Sequence, residues 1–189
     1  MSDLRPQRRT LQLGKEQHEL LFTLAAIDEV QSSLNLPIFD AIREVFAVAE
    51  GKVTEKGLEI LAGVVAALLR VNGEPGVTAL DVIRKLKPET ITGIATQIAV
   101  LFSENAPDTE DELEDDDDED EDEDDTDKDR SSAVNVARLL YTCTTVLRMQ
   151  EADVWEMTLR KIYLLIDEHL IANGKKKETD IDSVEMFAG

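Results

Sequence analysis

The 189-residue chain is 42% hydrophobic with a formal net charge of −21, which suits one medium domain or a small domain with an appendage. The charge is concentrated: residues 108–129 hold 18 acidic side chains against the single Lys128, while residues 1–107 carry −3 and residues 130–189 carry −1. No basic stripe is left for nucleic acid, the longest apolar stretch, Ile60 to Leu69, is far short of the roughly 20 residues of a membrane span, and a lone cysteine, Cys143, excludes an internal disulfide.

Arg5, Arg8 and Arg9 are followed by no continuous apolar run, so no secretory leader is expected and a soluble cytoplasmic protein is. Leu11 and Leu13 alternate before Gly14-Lys15, and His18, Leu20 and Phe22 alternate after it, which predicts a β-hairpin. Thr23 stands as an N-cap, with Leu24, Ile27, Val30 and Leu34 giving a helix over about 24–34. Pro37 suits the first turn of a second helix with Ile38, Phe39, Ile42, Val45 and Phe46 on one face, closed by Gly51.

Thr54 caps a third helix, apolar all round from Ile60 to Leu69 and therefore expected at the centre of the body, with a partly exposed oligomer or client surface as the alternative. Asn72 to Gly76 is a turn cluster. Thr78 starts a short helix to about Leu86, and Pro88 opens another whose stripe is Ile91, Ile94, Ala95, Ile98, Leu101 and Phe102. Residues 1–107 thus read as a hairpin plus a five-helix body.

Residues 108–130 form an acidic linker. The uninterrupted carboxylates Glu114 to Asp125 repel one another and bring no apolar surface, so a disordered spacer is expected. A calcium loop is not, because the glycine of the Asp-x-Asp-x-Asp-Gly pattern is missing. Residues 131–174 read as a helical hairpin. Ser131 or Ser132 caps a helix carrying Val136, Leu140, Cys143 and Leu147, and Asp153 with Glu156 starts a last helix whose face is Trp155, Leu159, Ile162, Ile166 and Leu170. About 40 residues with two apolar faces are marginal alone, so this unit should dock on the body, on a copy of itself or on a partner. Residues 175–189 read as a polar, flexible tail. The fold class expected is mainly α with a small N-terminal β-hairpin.

Catalytic patterns are missing. His18 and His169 have no Cys or second His at ligand spacing, and no phosphate-binding glycine loop, nucleophile elbow or His-Glu-x-x-His occurs. No enzyme activity, cofactor or metal is therefore expected. Apolar helical surface remains, and Trp155, Met157, Leu159 and Tyr163 are the candidate partner-binding residues, since aromatic and Met side chains offer large, adaptable contact area. Packing within their own hairpin is the competing explanation.

The stretch from Arg9 to Val45, including Leu-Gln-Leu-Gly-Lys-Glu-Gln-His-Glu-Leu-Leu-Phe-Thr-Leu-Ala-Ala-Ile and Leu-Pro-Ile-Phe-Asp-Ala-Ile, resembles the tail assembly chaperones of long-tailed bacteriophages. Those proteins open with a short hairpin on a Gly-Lys-Glu-like turn, then a helix beginning Thr-x-x-Ala-Ile. Trp155-Glu156-Met157-Thr158 is similar to a Trp-x-Met-Thr element late in some of them; the polyacid run is not part of their pattern. The resemblance implies a non-enzymatic protein of the host cytoplasm that binds the tape measure protein and keeps it soluble until the tail tube assembles. The major tail tube protein is a second candidate partner and self-association a third. It also implies a longer frameshifted product, for which the codons of Gly174 to Lys177 are the candidate slippery site. The alternative is an acidic chaperone or nucleic-acid mimic that binds a basic protein through the polyacid run.

Overall fold

The computed structural model describes residues 5–107 and 133–174. The expected acidic linker, the expected flexible tail from Lys175, and Ser131 and Ser132 as expected caps lie outside the described residues. Strands β1 (Arg9–Leu13) and β2 (Glu16–Leu20) pair antiparallel, with Leu11 opposite His18 and Leu13 opposite Glu16. The two-residue turn needs a positive φ at its first position, and Gly14 supplies it at 65°. Every second side chain, Leu11, Leu13, His18 and Leu20, then points to the core.

Helix α1 (Leu24–Leu34) starts where the Thr23 hydroxyl accepts from Ala26 N at 3.3 Å and ends at Asn35, whose φ of 50° breaks the helix. Helix α2 (Ile38–Ala49) follows Pro37 directly. Its buried face is Ile38, Ala41, Ile42, Val45 and Val48. The expected placing of Phe39 and Phe46 on that face is corrected: Phe39 sits at its edge, ring to ring with Phe102 at 5.9 Å, and Phe46 is 41% exposed. Because α2 is held between two helices, the small Ala41 faces inward where the backbones approach, and the stripe turns away from Phe46.

Helix α3 (Glu55–Val71), capped by Thr54, is the central element, and every residue from Ile60 to Leu69 is buried. It packs against α1, α2, β2 and α4 (Ala79–Lys85), the last opened by a reciprocal Thr78/Asp81 capping box. A 3-10 turn, Pro88–Thr90, leads into α5 (Ile91–Asn105), which lies along α2 and β1. Phe102 meets Phe22 edge to face at 5.2 Å.

Three side-chain amides tie distant segments to this frame, each bonding both the N–H and the C=O of one residue as a strand partner would. Asn72 holds Leu21 (both bonds 3.2 Å), Asn105 holds Gln7 (3.2 and 3.0 Å) and Gln31 holds Val134 (3.0 and 3.1 Å). The Gln31 carbonyl also accepts from Ile38 N, so one side chain joins the α1–α2 turn to the C-terminal segment.

That segment contains three helices where two were expected. Helix α6 (Val136–Tyr141) is capped by Asn135, which accepts from Arg138 N at 2.9 Å, and widens into a π turn over Thr142–Val146. Arg148 then turns the chain at a φ of 56°. Helix α7 (Glu151–Trp155) is short, and α8 (Leu159–Ala172) starts from Thr158, not from the Asp153/Glu156 pattern. The interruption has a tertiary cause: the Met157 carbonyl accepts from Leu24 N at 2.7 Å, and the Thr158 hydroxyl accepts from Lys161 N at 3.3 Å. The carbonyl that would continue α7 instead satisfies the open N-terminus of α1. Val134, Val136, Leu139, Cys143, Val154, Met157, Leu159 and Ile162 are buried in one core with the body. Of the three docking surfaces expected for this segment, the structure uses the first.

Candidate functional site

The four candidate residues separate into two kinds. Leu159 is 1% exposed and Met157 8%, both inside the shared core, so they hold α8 to the body and offer no free surface in this fold. Trp155 and Tyr163 are half-buried at the edge of that core. The Trp155 indole N–H donates to Glu151 one turn earlier at 3.2 Å, and its ring packs partly buried against the core.

Helix α8 changes character along its length. Its first turns bury Leu159 and Ile162, whereas Leu164, Leu165, Ile166, Leu170 and Ile171 are all only partly buried. The helix is apolar on more sides than the body covers. Tyr141 on α6 is 64% exposed, and Val146 is 43% exposed on the π turn, against which α8 packs. Leu165 and Ile166 pack against the shared core, while Leu164 and Ile171, seven residues apart, share another side of the helix.

A second apolar surface is a groove of about 520 Å³ between the start of α3, α4 and the start of α5. Val53, Leu58, Ile83, Leu86, Pro88 and Ile91 line it together with Thr54, Glu55 and Glu59. No sequence signal marked it, since it is assembled from the ends of three elements.

The polar clusters are structural in character. His18 is 8% exposed; its Nδ1 meets the Glu74 carboxylate, and its Nε2 lies 3.7 Å from Glu16 with no hydrogen-bond partner among the described residues. Lys85 also bonds Glu16, and its ammonium holds that carboxyl below the usual range. The group fastens the hairpin to the α3–α4 turn and to α4. Arg9 of β1 forks onto Glu104 of α5, with the same effect on the Glu104 carboxyl. Burial pushes the Cys143 thiol up, away from reactivity. His169 lies in the last turns of α8. Among the described residues no set of three His, Cys, Asp or Glu side chains is placed to hold a metal, and no helix is long and apolar enough to cross a membrane.

Comparison of the chain with protein-family models, with curated proteins and with solved structures found no match.

Proposed function

We propose that this chain is a tail assembly chaperone of a long-tailed bacteriophage, a non-enzymatic protein of the host cytoplasm that binds the tape measure protein and keeps it soluble until the tail tube forms. The observation that carries the reading is α8 from Leu164 onward, where Leu164, Leu170 and Ile171 remain partly exposed and stand outside the shared core. A tape measure protein is expected to be long, apolar and helical, and a helix laid along α8 would remove further apolar area from water, worth roughly 25 cal/mol per Å² before ordering costs. The hairpin on its Gly14-Lys15 turn and the Thr23-capped helix, at the places the family resemblance implies, support the reading.

Co-expression with the tape measure protein tests it. Leu164→Asp with Ile171→Asp alters side chains that the core does not need, so the chaperone should stay folded while the client becomes insoluble. A client equally soluble and equally well retained by that variant counts against the α8 surface. The polyacid favours one competing reading, in which Glu114 to Asp125 bind a basic protein. Replacing that run by Gly/Ser separates the two: loss of client binding supports the acidic chaperone, retained binding the tail chaperone.

A further inference from the structure

The groove at the start of α3 carries a charge pattern that the α8 surface lacks. Its lining is apolar except for Thr54 and two carboxylates, Glu55 and Glu59. These stand one turn apart on α3 and so share one edge of the groove. Neither has an ion-pair partner among the described residues, while the neighbouring cations are already engaged: Lys56 with Glu44 and Lys52 with Glu50, each at 3.0 Å. The position of Glu55 in the first turn of α3 is accounted for by the helix dipole. Glu59, beyond that turn, is not. Among the lining residues, Val53 is 47% exposed and Ile83 40%, two β-branched apolar side chains open to solvent.

We propose that this groove docks a segment of a partner protein that seats large apolar side chains on Val53, Ile83 and Ile91 and sets lysine or arginine against Glu55 and Glu59. A purely apolar ligand would leave both carboxylates facing low-dielectric contact without a partner, which is costly, whereas an amphipathic helix with a basic flank satisfies floor and edge together. An acidic segment is repelled, and that includes the chain's own residues 108–129. The inference stands on the groove alone and holds whether or not the partner is a tape measure protein. The chain's own residues 175–189 combine Lys175 to Lys177 with Ile181, Val184 and Phe187 but also carry Glu178, Asp180, Asp182 and Glu185, which disfavours them as occupant, and the test distinguishes an internal occupant from a partner.

The probe is a labelled amphipathic helical peptide with leucines on one face and lysines along both flanks, titrated into the full chain by fluorescence anisotropy. Its twin has the lysines replaced by glutamates. The lysine peptide should bind at least about tenfold more tightly than its twin, a preference that falls as salt screens the charges. Ile83→Asp, at an exposed position, should remove that binding with the circular dichroism spectrum unchanged, and Glu55→Gln with Glu59→Gln should weaken it severalfold and reduce its salt dependence. Binding that survives both variants belongs to the acidic run and overturns the proposal, as does equal affinity for the two peptides. Changing Lys175, Lys176 and Lys177 to Glu in the full chain should leave the affinity as it was. A tenfold gain would show that the chain's own segment fills the groove, and would overturn the assignment to a partner.

Discussion

At the scale of single residues, small and polar side chains set the geometry that the large ones fill. Gly63 lets α1 lie close on α3: a Cβ built there would fall well inside contact distance of the Leu34 side chain, to which its three nearest neighbouring atoms all belong. Alanine at 63 gains helix propensity of about 0.5–1 kcal/mol but forces Leu34 out of its place, an overpacking that costs about 1–3 kcal/mol. Gly63→Ala should therefore lower stability, and Leu34→Ala should cost less in its presence than alone. A double-mutant cycle from urea unfolding reads this directly, and strict additivity would show that Leu34 swings away freely. The Arg9–Glu104 fork gives a pH dependence of defined sign. The hydrogen bond from Arg9 is the largest influence on Glu104 and holds its folded pKa below the unfolded value, against a smaller opposing effect of burial. Its contribution is thus complete above the ordinary glutamate pKa of about 4.3 and is lost as pH falls through the lowered folded value. Glu104→Gln should make the acid-side decline shallower below about pH 4.3, though not flat, because Glu16 is held low in the same way by Lys85. An unchanged acid limb would remove the fork from the account.

Elements were legible in the sequence where their signals are local. Gly14 between two alternating runs, and Thr23, Thr54 and Thr78 before apolar periodicity, fix the hairpin and three helix starts within a few residues of chain. The last helix was misplaced because two cap patterns compete there, and Asp153/Glu156 and Thr158 look alike without tertiary contacts. Leu24 N decides between them by taking the Met157 carbonyl. The same limit applies to Gln31, whose partner Val134 lies 103 residues away, and to the candidate site. Trp155, Met157, Leu159 and Tyr163 were legible as one apolar set, but only docking on the body divides them into core and edge. Leu159→Ala should accordingly cost about 2–4 kcal/mol, as for a fully buried leucine, and Trp155→Ala distinctly less. Equilibrium unfolding followed by circular dichroism compares them. A Leu159→Ala cost no greater than that of Trp155→Ala would mean that the first turn of α8 is not seated in the core.

At the scale of the whole molecule, two segments far apart in sequence complete one core. Residues from Val134 to Ile162 are buried with those from Leu11 to Ala106, and backbone bonds as well as apolar contacts cross between them. The chain between them, residues 108–132, carries most of the net charge, while each of the two folding segments is close to neutral, so their association does not work against mutual repulsion. The connection raises the effective concentration of one segment around the other, to the order of millimolar for a linker that spans the gap. If docking rests on the core and the connection serves only to keep the segments near, the connection can be cut. A protease site placed within Glu114 to Asp125 and cleaved in the folded protein should leave the halves eluting together at about 50 µM, because loop closure over such a length contributes only a few kcal/mol. Dilution should then separate them, with unfolding becoming concentration-dependent where the intact chain's is not. In the intact chain, Trp155 fluorescence and far-ultraviolet circular dichroism should report one coincident transition, since the tryptophan lies at the edge of the shared core. Halves that part on cleavage even at high concentration, or a fluorescence change that precedes the loss of helix, would mean that the C-terminal segment is held by its tether and that the body is the independent unit.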